Sequence, residues 1–272
     1  MKKRIWLSVF IILTALIVFI SLFPLVWMFL SGFKSKTEVV AVPFRFLPKV
    51  FDLSNYEKIL IDPRFPRAMI ITFLGALVSV MCTLVVNTCA AYGFARIDFP
   101  GKRLFWAYCL LPMFIPGIAI LIPSFLVVHT LGMLNTYAVL IIPGVAQAGH
   151  VFFLRQYFLS LPLSLEEASF IDGCSRFGTL ARVFVPMSFP PLVIVGMGAF
   201  LGYWNSFIWP VLTLSDEKLY QIMQFLAFFR SERDMHLGII MAGALLTSIP
   251  PLILMFVFQK YIVQGIKIAG LK

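Results

Sequence analysis

The amino-acid sequence predicts an all-α membrane protein with six transmembrane helices. Of its 272 residues, 61% are hydrophobic and only 12% are charged, and the mean hydropathy is +0.97. Soluble globular chains are about 45–50% apolar and about 25% charged. The charged residues lie between long apolar runs, so lipid is the solvent for most of the surface. Helices satisfy their own backbone hydrogen bonds in lipid, and the runs are too continuous for the strands of a β-barrel.

Six apolar runs approach or exceed the length of a membrane crossing, which is about 20 residues for a helix. The first follows Lys2, Lys3 and Arg4 and continues past Trp27, so we interpret it as a retained anchor and not as a signal peptide. The fourth is the shortest. The predicted spans, none of which contains Asp, Glu, Lys or Arg, are residues 5–30, 68–92, 104–128, 138–154, 191–214 and 237–258. We expect one transmembrane domain over residues 1–272.

The orientation follows from the positions of the basic residues. An even number of spans puts both termini on one side, and just over half of the 22 Lys and Arg residues then lie on that side. Short basic segments are retained in the cytoplasm. We therefore predict a cell-membrane protein with both termini and the long loop 155–190 in the cytoplasm. The same distribution accounts for the net charge of +10, so no nucleic-acid partner is expected.

Prolines interrupt several of the predicted spans. Each proline removes one helical hydrogen bond and tends to kink the helix. Kinked helices could rock around a pathway, although proline is common in membrane helices in any case. The positions are Pro24, Pro112, Pro116, Pro123, Pro143, Pro210, Pro250 and Pro251.

The cytoplasmic loop carries signals for two short helices. Ser164 followed by Glu167 has the spacing of a capping box, so a helix is expected to start at about Leu165. Gly173 stands where a left-handed residue would end that helix. A second helix fits residues 176–185 and is expected to stop at Pro186. Two such helices favour a docking surface, with a solvated amphipathic loop as the alternative.

A set of polar and aromatic residues inside or beside the spans is a candidate lining for a translocation path. Amides in membrane helices also serve as hydrogen bonds between helices, and aromatic rings there usually pack. Thr83 and Asn87 are four residues apart and share a helix face. The candidates are Thr83, Asn87, Gln147, Trp204, Asn205 and Ser206.

Motifs for chemistry are missing from the sequence. The pair Gly101-Lys102 is followed by Arg103, so it does not form the phosphate-binding loop GxxxxGK[ST]. The four cysteines form no CxxC pair, and we expect no disulfide framework, metal site, cofactor or catalytic residue. The uncharged spans also disfavour an ion-coupled carrier, which commonly places Asp, Glu or His within the membrane.

The cytoplasmic loop resembles the EAA loop of permease subunits in ATP-binding-cassette importers. That family pattern is EAA, three residues, Gly, nine residues and then I-x-L-P. The matching residues are Glu167-Ala168-Ser169, Gly173 and Val183-Phe184-Val185-Pro186, with every spacing kept. Ser169, Val183 and Val185 depart from the pattern but are similar in size to the usual residues.

Further stretches resemble the carbohydrate-importer branch, the maltose-transporter type. Phe23-Pro24-Leu25-Val26-Trp27 precedes Ser31-Gly32-Phe33-Lys34, and Asn55-Tyr56 follows. Trp204-Asn205-Ser206-Phe207-Ile208-Trp209-Pro210 is similar to W-N-E-F-x-W-P, with Ser206 in place of the acidic residue. Gln259 to Gly265 is similar to the terminal Q-K-x-x-V-x-G.

The resemblance implies a type I importer permease fold and a non-catalytic transport subunit. Its partners would be a second permease subunit, two ATPase subunits that bind ATP and Mg²⁺, an extracytoplasmic solute-binding protein, the lipid bilayer and a carbohydrate substrate. A permease for a non-sugar solute such as a glycerol phosphate is the alternative, and an ion-coupled secondary transporter is less favoured. The residues expected to couple to the ATPase are Glu166, Glu167, Ala168, Ser169, Asp172, Gly173, Pro186, Gln264 and Gly265.

Overall fold

The structure, a computed structural model, describes residues 2–232 and 236–270 and is mainly helical, with no strand in those two ranges. The prediction of an all-α membrane protein is confirmed. The α-helices are α1 (Lys2–Ser31), α2 (Lys36–Val39), α3 (Ser54–Ile61), α4 (Arg64–Arg96), α5 (Lys102–Leu110), α6 (Leu121–Thr130), α7 (Tyr137–Ile141), α8 (Ala148–Ser160), α9 (Leu163–Ile171), α10 (Arg176–Thr179), α11 (Val185–Met187), α12 (Phe189–Trp204), α13 (Ile208–Thr213), α14 (Ile222–Glu232) and α15 (Leu237–Gly270). Four 3₁₀ turns (Leu111–Phe114, Gly117–Ile120, Ile142–Gly144 and Glu217–Leu219) and one π turn (Leu180–Phe184) complete the described part.

Three single helices in the described ranges are long and apolar enough to cross a membrane. They are Trp6–Ser31 within α1, Arg64–Arg96, and Leu237–Gly265 within α15. The most apolar stretch of α1 has a mean hydropathy of 2.9, and none of it is buried within the chain. A helix that is apolar on all sides needs lipid or another membrane subunit around it.

Three bent helix pairs in the described ranges are together long and apolar enough to cross a membrane, and the chain has the predicted six spans if each pair forms one crossing. The pairs are Lys102–Phe114 with Gly117–Thr130 at 103°, Tyr137–Gly144 with Ala148–Ser160 at 44°, and Arg176–Met187 with Phe189–Trp204 at 86°. Pro116 lies in the first break and Pro143 just before the second, where each lacks an N–H donor for a continuing helix. Pro24, Pro250 and Pro251, in contrast, leave α1 and α15 continuous.

The last two predicted spans need correction. The fifth, residues 191–214, is not one helix, because α12 ends at Trp204 and α13 starts at Ile208. Pro210 explains the break: within one continuous helix its ring would clash with the carbonyl of Ser206. The helix that contains the sixth predicted span does not end at residue 258 but continues to Gly270.

The described chain groups into two compact units. Residues 1–67 and 225–250 form the first, and residues 68–224 and 251–272 form the second. In the first unit, Asn55 joins the end of α1 to α3, since its side-chain amide donates to the carbonyls of Gly32 and Lys34, both at 2.9 Å. The Tyr56 hydroxyl donates to the Phe29 carbonyl at 2.9 Å.

The side chain of Lys34 completes this junction in the first unit. It is fully buried, its ammonium lies 4.1 Å from the centre of the Trp27 ring, and it donates a hydrogen bond to the Arg45 carbonyl. A buried ammonium is costly unless such partners replace its water. The conformation of the segment after α1 is therefore tied to the Trp27 ring.

The second unit has an aromatic core at one end of α4. The rings of Tyr92, Phe158 and Phe184 meet edge to face, with centroids 5.1–6.4 Å apart. Such pairs contribute about 0.5–1.5 kcal/mol each beyond the burial of their area. This core fixes α4, α8 and the π turn relative to one another and so supports the long loop over residues 155–190.

Candidate functional site

The loop segment (residues 161–188) starts its first helix earlier than predicted. Helix α9 begins at Leu163, with Pro162 as its N-cap and no side-chain cap hydrogen bond, so the capping-box prediction for Ser164 is wrong. Proline has a fixed φ and no N–H, which suits it to a helix start. With Pro162 in that position, Ser164 lies inside the first turn and cannot act as the cap.

The end of α9 confirms the prediction for Gly173. Its φ is +80°, and the Gly173 N–H donates to the Phe170 carbonyl at 3.0 Å. The Cys174 N–H donates to the Ser169 carbonyl at 2.9 Å. Together these bonds form a Schellman motif, which needs a left-handed residue at the position of Gly173.

The second helical stretch runs farther than predicted. It begins with Ser175, whose hydroxyl accepts from the Gly178 N–H at 3.1 Å, and it continues to Met187. Pro186 therefore does not stop it. The widened π turn over Leu180–Phe184 precedes Pro186 and relieves the clash that a proline ring has with a carbonyl four residues earlier.

Two residues of α4 that the sequence analysis did not single out hold the start of α9. The Tyr92 hydroxyl donates to Glu166 Oε1 at 3.1 Å, and Arg96 Nε lies 3.7 Å from Glu166 Oε2. Arg96 also donates to the carbonyls of Phe158 and Leu161, both at 2.6 Å. In the sequence, Arg96 is a basic residue shortly after an apolar run. The sequence analysis used such residues only to predict the orientation of the spans.

The predicted coupling residues of the loop segment divide into a buried and an exposed set. Glu166 and Ser169 are buried, and the Ser169 hydroxyl bonds the Thr179 hydroxyl at 2.8 Å, which joins the two helical stretches. The exposed members are Glu167, Ala168, Asp172, Gly173 and Pro186. In the same segment, the apolar side chains of Ile171 and Phe177 are 87% and 72% exposed, which the sequence analysis did not predict.

The two coupling candidates in α15 lie within the second unit. Gly265 is buried, and a Cβ at its position would lie 2.5 Å from Cδ1 of Ile194 in α12. Its neighbour Gln264 is exposed. Gly265 therefore allows close packing of α15 on α12.

Three of the predicted path residues are buried in packing positions. Asn87 donates to the carbonyls of Thr83 and Val145, at 2.6 and 2.7 Å, and accepts from the Gln147 N–H at 2.9 Å. Asn87 thus satisfies backbone groups of Val145 and Gln147 at the break between the two helices of the predicted fourth span. Thr83 is fully buried, and Trp204 stacks on Phe200 with centroids 5.4 Å apart.

The other path residues lie at or near an open cavity of about 310 Å³ in the second unit. Gln147 and Ser206 line it, together with Ser79, Tyr203, Trp209 and Gln221, and Asn205 is exposed next to Ser206. None of the described residues that line the cavity is charged. A second cavity of about 440 Å³ has an entirely apolar lining, including Leu77 and Phe258. Only the first cavity offers hydrogen bonds to a solute.

Comparison with known proteins assigns the chain to a family. Residues 87–268 match the family described as binding-protein-dependent transport system inner membrane component. A trehalose/maltose transport system permease protein of Thermococcus litoralis is 32% identical, with 99% of this chain and 97% of that protein covered. An arabinooligosaccharides transport system permease protein of Halalkalibacterium halodurans is 30% identical, covering 95% and 94%.

The fold has a counterpart among solved structures. A bacterial ABC transporter involved in the import of the acidic polysaccharide alginate contains a chain that matches with a TM-score of 0.83 at 24% identity, covering 96% of this chain and 98% of that one. It supports the predicted importer-permease fold. The family match and the two relatives show that this chain belongs to the inner-membrane permease components of binding-protein-dependent ABC transport systems.

Proposed function

We propose that the chain is the permease subunit of an ATP-driven importer for a mono- or oligosaccharide and that the loop segment transmits the work of a separate ATPase. The exposed side of α9, with Glu167, Ile171 and Gly173, carries the proposal for coupling. Three relatives named for arabinooligosaccharides, trehalose/maltose and diacetylchitobiose support a carbohydrate.

The loop segment has the properties of a docking element. Ile171 is exposed one helical turn from the acidic Glu167, and Phe177 of α10 is exposed as well, whereas Glu166 on α9 is buried against α4. Exposed apolar patches next to charged groups mark protein interaction sites. A partner that moves α9 would therefore act directly on α4 through Glu166.

The proposed assembly contains a second permease subunit, two ATPase subunits and an extracytoplasmic binding protein. Both termini and the loop segment lie in the cytoplasm in this arrangement, and Gln264 and Gly265 lie near the ATPase subunits. ATP and Mg²⁺ bind to those subunits, and this chain supplies neither a catalytic residue nor a cofactor site.

Two matched pairs of variants test the coupling. Gly173→Val places a β-branched residue at φ +80°, which costs about 1–2 kcal/mol, whereas Gly173→Asn tolerates that conformation. Glu167→Lys reverses a charge on the docking side, and Glu57→Lys makes the same change at an exposed position of α3.

We expect Gly173→Val and Glu167→Lys to reduce both co-purification of the ATPase and ATP-driven uptake of labelled maltose or arabinotriose in proteoliposomes. Gly173→Asn and Glu57→Lys should behave as the unmodified protein. Normal uptake and normal ATPase association in both of the first two variants would overturn the coupling role.

A further inference from the structure

We propose that segment 40–51, which lies between α2 and α3, is an interfacial anchor that binds anionic phospholipids. Its apolar side chains enter the leaflet at the C-terminal end of α1, and Arg45 and Lys49 lie at the lipid phosphates. The inference goes beyond the proposed function, because it concerns how this chain contacts the bilayer and requires neither a sugar nor an ATPase.

Segment 40–51 exposes a run of apolar side chains. Only Arg45 and Lys49 of its residues are charged, and none is acidic. Exposed apolar surface of this kind marks a contact with a membrane or with another protein. Six large apolar side chains are each at least 60% exposed, those of Val40, Val42, Phe44, Leu47, Val50 and Phe51.

Ring contacts hold the segment against the side of α1. The Phe44 ring stacks on the Trp27 ring with centroids 4.7 Å apart, and the Phe46 ring stacks on the Phe23 ring at 5.9 Å. Trp27 and Phe23 belong to the last turns of α1, which ends at Ser31. The chain therefore returns along the end of α1 and does not extend away from it.

The position of these contacts along α1 sets the depth of the segment. The uncharged stretch from Ile5 to Ser31 is about 39 Å long, so a hydrocarbon core of about 30 Å centred on it ends about 4–5 Å before Ser31. Trp27 lies about 6 Å before Ser31. Its ring and the Phe44 ring are therefore at the edge of the core, where membrane proteins carry belts of aromatic residues.

The backbone of the segment indicates the same depth. Between α2 and α3 the described residues form no helix or strand. Irregular backbone that faces lipid is not tolerated inside the hydrocarbon core, because its polar groups would lack partners. The Lys34 ammonium donates to the Arg45 carbonyl, and the Lys49 N–H donates to Glu38 Oε1 at 2.7 Å. The backbone thus lies at the level of the headgroups, from which its apolar side chains reach the acyl chains.

The charged residues of the segment select the lipid. Arg45 and Lys49 are exposed, and neither forms an ion pair with a residue that the structure describes. Long basic side chains extend from an apolar surface to charged headgroups, and anionic lipids attract them. Lysine is depleted in protein–protein interfaces. The composition therefore favours a bilayer that contains phosphatidylglycerol over a protein as the occupant of this surface.

A fluorescent reporter tests the insertion. The complete transporter, with the four cysteines of this chain replaced by alanine and with cysteine-free partner subunits, carries the fluorophore NBD at Leu47→Cys and is reconstituted in nanodiscs. Leu47 and Val50 are 63% and 70% exposed, so Val50→Cys is a second, independent reporter. Thr37→Cys, at an exposed position of the polar helix α2, is the control. Nitroxide phospholipids quench NBD from the acyl chains, and iodide quenches it from water.

We expect nitroxide lipid to quench the labels at Leu47→Cys and Val50→Cys and iodide to leave them bright, with the reverse at Thr37→Cys. Half-maximal quenching at Leu47→Cys should need about ten- to thirtyfold less nitroxide phosphatidylglycerol than nitroxide phosphatidylcholine, because two basic residues attract the anionic headgroup. Adding Arg45→Gln and Lys49→Gln together should abolish this preference but not the insertion. Adding Lys218→Gln, at an exposed position of the second unit, should change neither.

Three outcomes would overturn the proposal. Iodide quenching of Leu47→Cys equal to that of Thr37→Cys would place the segment in water. A label at Leu47→Cys that neither quencher reaches would show that another subunit covers the segment. Equal quenching by the two lipids, or a preference that survives Arg45→Gln with Lys49→Gln, would refute the recognition of the headgroup. These measurements use no sugar and no ATP, so each outcome leaves the proposed function untouched.

Discussion

Arg96 Nε lies 3.7 Å from Glu166 Oε2, and both side chains are at most 9% exposed. The pair joins the end of α4 to the start of α9. Arg96 also donates hydrogen bonds to the carbonyls of Phe158 in α8 and Leu161 in the connection to α9. One side chain therefore contacts α8, α9 and the connection between them.

Arg96→Met should destabilise the chain strongly. Among the described residues, it leaves the buried Glu166 carboxylate with the Tyr92 hydroxyl alone as a partner, and breaking a buried pair costs about 3–5 kcal/mol. Lys102→Met is the control, because it removes an ion pair to Asp98, which is 100% exposed, and such pairs contribute about 0–1 kcal/mol. The free energy of unfolding in mixed micelles checks both values, and equal losses would contradict the structural role of Arg96.

Gly238→Ala should destabilise the first unit. A Cβ at Gly238 would lie 2.6 Å from the Asn55 amide nitrogen and 2.7 Å from the Lys34 carbonyl oxygen. These two atoms form one of the hydrogen bonds that join α3 to the segment after α1. Such overpacking costs about 1–3 kcal/mol. Gly202→Ala, with no atom within 4 Å of its added Cβ, should be neutral or slightly stabilising because alanine favours helices. The midpoint of thermal unfolding compares the two, and a stable Gly238→Ala protein would show that this junction repacks.

His236 should make stability depend on pH. Burial and the positive charges of Lys58 and Lys36 lower the pKa of His236 from its usual 6.5 in the folded chain. Between the lowered pKa and about 6.5 the unfolded chain binds more protons, so the free energy of unfolding rises with pH across that window and levels off above it. His236→Gln should flatten this part of the curve, as measured by unfolding at pH 5 to 8. An unchanged slope in that variant would mean that other groups cause the dependence.

The sequence predicted the large elements well because lipid imposes a simple requirement. Each crossing needs a long uncharged helix, so the runs around α1, α4 and α15 could be located by length alone. Gly173 was also predictable, since a left-handed helix end has few solutions other than glycine. The start of α9 could not be predicted, because Pro162 and Ser164 are both common at the start of a helix. Which of them precedes the helix depends on how the loop packs.

The side-chain environments of the site were harder to predict. Glu166 and Glu167 are chemically identical neighbours about 100° apart around one helix, and only the distant Tyr92 and Arg96 decide that Glu166 is the buried one. Gln147 and Ser206 were predicted as path residues and do line the cavity. Gln221 was missed because it lies between the predicted spans 191–214 and 237–258 and so outside every predicted span.

Helix α4 connects the two parts of the site. Tyr92 holds the loop segment, and Gly75 accommodates the Tyr203 hydroxyl at the cavity. The two residues are 17 positions apart in one unbroken helix, a distance of about 25 Å. Because one continuous helix joins the two ends, an axial shift at one end moves the other end directly, without side-chain rearrangements between them. A partner that shifted α9 along the axis of α4 would therefore also shift the stretch of α4 that packs against Tyr203.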